Sequence, residues 1–369
     1  MDSHDDRQRV LLVTPSLDGL GGVANYFRTM LPWLENGTFS IDHLEIGSFN
    51  GRSAYFYPVY DQMRLRERAG GNVALVHLNP SLNLKSFIRE GGFLLQAKRR
   101  RLRVLVFFRG WNREFARFLN RGMLPIVRGI YGKADAFIVL ASEIEDTLRK
   151  WGIEKPVYRE TTVVDTELLE AFDPGERLAR IAETRAVRVL YLARLEREKG
   201  VFETVDAVRL LRSRNFPVEL SIAGDGPARA DLAEYVMDQN LPEGVIRFLG
   251  YLRGPDKAEV FRRHDLYCLP TYHDEGMPNS VLEALAFGMP VITCAVAGLK
   301  DIFQDGRMGR LVPVRDPAAV AEAIRDLAGD KYAMARIACT NTAYAAANVT
   351  APRVAKRLQT LYQETIAGC

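Results

Sequence analysis

Cysteine is scarce in this chain: Cys268, Cys294, Cys339 and Cys369 are the only four in 369 residues, and their spacing matches no metal-binding pattern. This excludes a disulfide framework and fits reduced thiols in a cytoplasmic compartment. Long apolar runs are also missing, and none approaches the roughly 20 residues that a membrane-spanning helix requires. The opening MDSHDDRQR is charged and runs straight into an apolar stretch, so no secretory signal is expected. There is no internal repeat, no low-complexity tract and no nucleic-acid-binding motif. What remains is a soluble globular composition, 47% hydrophobic and 26% charged, in a chain long enough for two domains.

The chain is organised around His273–Pro290, HDEGMPNSVLEALAFGMP. Asp265–Pro270 before it reads as a short buried strand ending in a turn. Pro278, Asn279 and Ser280 supply helix-start chemistry, with Asn or Ser as the expected cap. Val281, Leu282, Leu285 and Ala286 recur at helical spacing, and Gly288 with Pro290 stops the helix before the strand Val291–Thr293. A helix start beside Gly276 is a ready anion site. Glu283 falls on the apolar part of that helix, where a carboxylate needs donors, and ribose hydroxyls are one source. Glu275 and Glu283, with seven residues between them and set in GMPNSVLEALAFGMPVI, resemble the Glu-x7-Glu signature of retaining glycosyltransferases of the family 4 type.

Alternation of apolar strands with helical stretches runs through both halves and argues for parallel sheets with helices on both faces. In the first half, strands are expected at Val10–Thr14, Ile41–Ile46, Val73–Leu78, Val104–Phe108 and Ala136–Leu140, with helices near Leu82–Ala97, Arg113–Ile130 and Glu143–Trp151. Gly19, Gly21 and Gly22 follow the first strand and open a helix over about Val23–Leu34; such a turn can cradle a phosphate. His77, Asn79, Arg109 and Trp111 fall at strand ends, where ligands to such sheets sit. Residues Leu168–Arg185, with Asp173-Pro-Gly175, read as a linker. Val187–Ala193 begins a second set of strands. It is followed by Arg194-Leu-Glu-Arg-Glu-Lys199-Gly200, which sets two cations five residues apart on a loop entering a helix.

The resemblance implies the GT-B fold: two Rossmann-like domains with parallel sheets facing a cleft. Residues 1–175 would form the acceptor domain, 176–350 the nucleotide-sugar donor domain, and 351–369 a helix crossing back to the first. It further implies that Arg194 and Lys199 neutralise the donor diphosphate, and that Glu275 with Gly276, Met277, Pro278 and Asn279 holds the donor sugar. Glu283 would hold the ribose, Gly21 and Gly22 would face the diphosphate and acceptor, and the loop Gly250-Tyr251-Leu252 would meet the nucleobase. One departure stands out. Many family members carry a histidine after the fourth strand that contacts the donor sugar; here Arg109 holds that place and could meet a phosphate or an acidic sugar.

The expected activity is transfer of a sugar from a UDP- or GDP-linked donor to a hydroxyl with retention, in polysaccharide or lipid-linked glycan synthesis. No metal and no further cofactor are required, because cations and helix N-termini serve the diphosphate. A sugar-nucleotide epimerase of the same architecture would need a general acid/base set that is not identifiable here, and a silent nucleotide-sugar binding subunit would not need Glu275, Glu283, Arg194 and Lys199 retained. Net charge is only +4, yet residues 52–133 hold 17 Lys and Arg against four acids, an excess of 13. That asymmetry suggests an anionic or lipid-linked acceptor and contact with the inner face of a membrane, with Lys98, Arg99, Arg100 and Arg101 the first candidates.

Overall fold

The computed structural model describes residues 7–19, 21–47, 57–183, 186–273 and 276–368. The described chain forms two compact units. One takes in the residues up to Val163 together with Gly276, Met277 and the last helix; the other takes in Val164–His273 and Pro278–Thr350.

The first unit is built on β1 (Arg9–Pro15), β2 (Ser40–Ile46), β3 (Val73–Leu78), β5 (Arg103–Phe107), β7 (Ala136–Val139) and β8 (Val157–Arg159), all parallel in the order β2-β1-β3-β5-β7-β8. The short pair β4 (Ser81–Leu82) and β6 (Gly110–Trp111) lies beyond the ends of β3 and β5. Its helices are α1 (Gly22–Glu35), α2 (Tyr57–Arg68), α3 (Leu84–Arg99), α4 (Arg113–Asn120), α5 (Leu124–Ile130) and α6 (Ser142–Lys150). Central strands are apolar on both faces, as a covered parallel sheet requires: Val10, Leu11, Leu12 and Val13 of β1 are all buried. The side chain of Asn83 caps α3, its Oδ1 accepting from Ser86 N at 3.0 Å. The single helix expected over Arg113–Ile130 is two, α4 and α5, because Gly122 between them sits at φ +129°, outside helical space.

The second unit repeats the architecture with β9 (Val187–Leu192), β10 (Val218–Ala223), β11 (Ile246–Gly250), β12 (Leu266–Leu269), β13 (Val291–Thr293) and β14 (Gly309–Leu311), parallel in the order β11-β10-β9-β12-β13-β14. Its helices are α7 (Pro174–Glu183), α8 (Val201–Ser213), α9 (Arg229–Asp238), α10 (Gly254–Arg263), α11 (Asn279–Ala286), α12 (Leu299–Ile302), α13 (Pro317–Gly329) and α14 (Lys331–Asn348). The stretch expected as a linker is largely α7. Its Arg177 is buried and donates to the carbonyls of Phe261, His264 and Phe287, where α10 and α11 end. A buried cation closing orphan carbonyls at helix C-termini is favourable, and polar letters in sequence gave no sign of it.

The last helix, α15 (Ala351–Ala367), belongs to the first unit. Arg357 makes a two-pronged ion pair with Glu160, with both Nε and Nη2 donating at 2.8 Å, and the Tyr362 hydroxyl meets His77 Nδ1 at 2.7 Å. No helix among the described residues is long and apolar enough to cross a membrane.

Candidate functional site

Ligands of open parallel sheets bind beyond the carboxyl ends of strands, at the point where the strand order reverses. In the second unit the order runs outward from β9 to β11 on one side and from β12 to β14 on the other, so the reversal lies between β9 and β12. The loops after these two strands are the ones that carry the charged motifs of the sequence.

The loop after β9 holds Arg194 and Lys199. Arg194 is 69% exposed in its side chain, with Nε 3.1 Å from Glu196 Oε1. Lys199 ends a single 3-10 turn and is only 8% exposed. Gly200 follows at φ +77°, where a Cβ would stand 2.3 Å from Pro270 O, so only glycine lets the loops after β9 and β12 approach this closely. One backbone and one side-chain donor tie them together: Tyr272 N and Thr271 Oγ1 both donate to Glu198 O, at 2.9 and 3.3 Å. The turn at Gly224 and Gly226 is structural, since a Cβ would strike the backbone of Ala193 or Leu195.

Glu275 lies outside the described residues. Gly276 and Met277 are buried, and a Cβ on Gly276 would come within 2.6 Å of Leu140 Cδ1. The helix after them begins differently from expectation. Pro278 occupies the cap position with no side-chain capping bond, and Asn279 is already helical. Ser280 is engaged instead by the Tyr267 hydroxyl at 2.7 Å. The first N–H groups of α11 therefore have no capping side chain, the arrangement that favours an anion.

Glu283 sits one turn further along α11 and is 6% exposed. Lys257 of α10 donates to its Oε1 at 2.6 Å, while Oε2 is buried with no hydrogen-bond partner. A buried carboxylate with one oxygen neutralised and the other unmet is an acceptor in want of a donor. Sequence reasoning missed Lys257, because nothing in a helix-surface lysine 26 residues upstream marks it as a counter-charge. Tyr251 and Leu252 follow β11, Tyr251 exposed and Leu252 half-buried.

In the first unit the reversal falls between β1 and β3. Gly21 caps α1 with no side-chain bond, and a Cβ on either Gly21 or Gly22 would meet nothing within 4 Å. Neither has a left-handed φ, so neither packing nor backbone geometry explains these glycines. His77, at the end of β3, is fully buried, and its Nε2 has no partner. Burial first, then the nearby Arg109 charge, pushes its pKa down to about 3 and keeps the ring neutral. Arg109 lies over the rings of Tyr26 and Phe107, 3.9 and 4.4 Å from their centres, with buried Nε and Nη1 unpartnered. Burial lowers its pKa to about 10, so it stays cationic at neutral pH.

Residues 186–330 match the family described as glycosyl transferases group 1. This segment is a glycosyl transferases group 1 domain. The domain contains β9 through β14, α11 and both charged loops. The chain is 29% identical over 221 residues to a glycogen synthase of Mycobacterium tuberculosis, covering 59% of this chain and 51% of that protein. It is 28% identical over 207 residues to a phosphatidyl-myo-inositol mannosyltransferase of Mycobacterium leprae, covering 54% and 53%. The chain thus spans about half the length of these curated relatives. Among solved structures, Anabaena HepE in complex with UDP and glucose superposes with a TM-score of 0.71 at 15% identity, over 97% of this chain and 100% of that one. Together with the two parallel sheets, that likeness makes the fold GT-B.

Proposed function

We propose that this protein is a retaining glycosyltransferase that moves a sugar from a nucleoside diphosphate sugar to a hydroxyl acceptor. The observation that carries the reading is the convergence, at one strand-order reversal of the group 1 domain, of the Arg194–Gly200 loop, the uncapped start of α11 and the half-satisfied Glu283. Ribose hydroxyls would donate to Glu283 Oε2, and Tyr251 with Leu252 would border the base. Arg194, Lys199 and the first amides of α11 would take the diphosphate, whose charge grows as the sugar leaves. Glu275, with Gly276, Met277, Pro278 and Asn279, would hold the sugar. In the step itself the bond from the anomeric carbon to the phosphate oxygen breaks. The acceptor oxygen bonds to that carbon on the same face, and its proton passes to a donor phosphate oxygen. The chain supplies the compensating cations, so no metal or additional cofactor is invoked.

UDP is the favoured nucleotide, since the HepE structure similar to this one holds it. The open Gly21–Gly22 corner leaves room for a phosphate or acceptor to reach the backbone, and Arg109, backed by His77, offers donors to an anionic group of the substrate. An anionic or lipid-linked acceptor at a cytoplasmic membrane face suits the basic first unit and fits a role in polysaccharide or lipid-linked glycan assembly. The test is a thermal-shift screen with UDP, GDP and their sugars, repeated on Glu283→Gln and Glu275→Gln. Glu283→Gln should weaken binding of the bare nucleotide, whereas Glu275→Gln should spare it and impair use of the full donor. Equal loss in both variants, or no response to any nucleotide, defeats the assignment.

A further inference from the structure

We infer that the protein docks on an anionic bilayer leaflet through a shoulder of the first unit formed by α2, α3 and α4. The surface is apolar at its centre. Val59 and Met63, four apart on α2, and Leu84 and Ile88, four apart on α3, are exposed. Spacing of four places each pair on one helix face. The two faces adjoin, because Gln62, next to Met63, donates through Nε2 to the carbonyl of Arg89, next to Ile88, at 3.1 Å. Exposed Phe118 of α4 continues the patch: its ring lies 6.0 Å from that of Phe115, which lies 5.8 Å from Phe87 beside Ile88.

Charge identifies the occupant. Lys85 and Arg117 are exposed on these helices, and Arg121 is exposed just after α4. Of the four acids on α2, α3 and α4, Asp61 and Glu90 are buried, the first accepting from Gly47 N and the second paired with Arg89. Only Glu67 and Glu114 remain exposed there. Apolar side chains ringed by cations with few acids complement a negatively charged lipid surface, where the rings and aliphatic groups enter the interface and the cations meet headgroups.

This location corrects the sequence expectation. Lys98 is bound to Asp135 at 2.7 Å, and Arg100 donates to the carbonyls of Arg66 and Ala69, so half of the Lys98–Arg101 cluster is occupied within the fold. That cluster also lies at the far end of α3. The shoulder is at the near end, where α3 begins just after β4 and where Arg109 N donates to Pro80 O. It therefore shares the carboxyl end of the sheet with Arg109 and the Gly21–Gly22 corner, and a hydroxyl carried on a lipid would be delivered there. That delivery rests on the transferase reading; the docking surface does not.

The experiment is co-sedimentation of the full chain with phosphatidylglycerol–phosphatidylcholine vesicles and with phosphatidylcholine alone, at low and high salt. Each variant is also assayed by circular dichroism and by UDP thermal shift. Binding should require the acidic lipid and weaken with salt. Lys85→Gln/Arg117→Gln/Arg121→Gln should lower partitioning about a hundredfold, from about fivefold for each near-surface cation. Leu84→Ser/Ile88→Ser should lower it at least about tenfold, and Arg99→Gln/Arg101→Gln should leave it unchanged. Failure to bind acidic vesicles, insensitivity to both shoulder variants, or loss only in the Arg99/Arg101 variant overturns the proposal. So does self-association in the absence of lipid that Leu84→Ser/Ile88→Ser abolishes, which would make the shoulder a contact between copies. A wild-type protein that binds vesicles but ignores UDP would instead sink the transferase reading and leave this surface standing.

Discussion

Replacing Lys257 with Met tests the nucleotide site through a residue that is not itself proposed to touch ligand. The Nζ–Oε1 distance is 2.6 Å, and the two side chains are 19% and 9% exposed. An exposed pair would contribute about 0–1 kcal/mol, whereas breaking a fully buried one costs about 3–5 kcal/mol. With both partners mostly covered and the lysine still reaching water, a loss of about 2–3 kcal/mol is expected. Removing both charges together, as in Lys257→Met/Glu283→Leu, should recover most of that, because the cost lies in leaving one charge stranded. Nucleotide binding should separate the variants differently. Lys257→Met releases the carboxylate that accepts from ribose, and losing a hydrogen bond to a charged group costs about 1.5–3 kcal/mol, or about tenfold or more in UDP affinity. The double variant, lacking the acceptor altogether, should bind no better despite its regained stability. Urea denaturation and calorimetric titration with UDP read the two quantities. A Lys257→Met protein as stable as wild type with unchanged UDP affinity refutes the argument, as does a double variant that recovers both.

Three further outcomes follow from other parts of the structure. Arg194→Ala or Lys199→Ala should lower turnover at least about 100-fold, the scale of one donor aimed at developing charge; near-normal rates in both would remove this loop from the site. Gly21→Ala and Gly22→Ala should leave the melting temperature close to wild type, since open space surrounds both positions, yet impair transfer, whereas Gly226→Ala should destabilise the fold because its Cβ would stand 2.4 Å from Leu195 O. Equal melting temperatures for all three would undo the distinction. Burial lowers the pKa of His77 to about 3 and of His264 to about 4. The unfolded chain therefore binds protons below about pH 6.5 that the folded chain refuses, and stability should fall from there toward pH 4 by about 1.4 kcal/mol per pH unit for each histidine. Denaturation midpoints that are flat between pH 7 and pH 5 would contradict this.

The strands were legible because parallel strands covered on both faces read as short, unbroken apolar runs, and Val73–Leu78 and Val291–Thr293 stand where those runs predict. The charged loop after β9 and the apolar helix α11 that carries Glu283 were equally visible as motifs. What sequence could not supply was pairing across distance. Arg177 looks like one more charge in a polar segment until its guanidinium is seen closing three carbonyls 84 to 110 residues away. Lys98 and Arg100 count toward a basic patch in composition, yet the fold occupies both. Tyr362 and His77, 285 residues apart, carry no mutual signal at all. A helix start is plain where a side chain caps it, as Asp316 does by accepting from Ala319 N at 2.9 Å, while the uncapped start of α11 was misread by one residue.

The placement of α15 has a consequence for how the chain comes to be folded. Its Val354, Leu358 and Tyr362 are buried, and Tyr362 lies against Phe39 and His77. During synthesis the N-terminal sheet is complete in strands once residue 159 has emerged, but the part of one face that α15 covers, beside α1, stays open until that helix leaves the ribosome. The N-terminal unit is thus unfinished for most of translation, with apolar surface open to chaperones or to wrong partners. A fragment cut at Val163 would inherit that open face permanently. Fusing residues 351–369 to it through a flexible tether is the way to obtain the unit by itself.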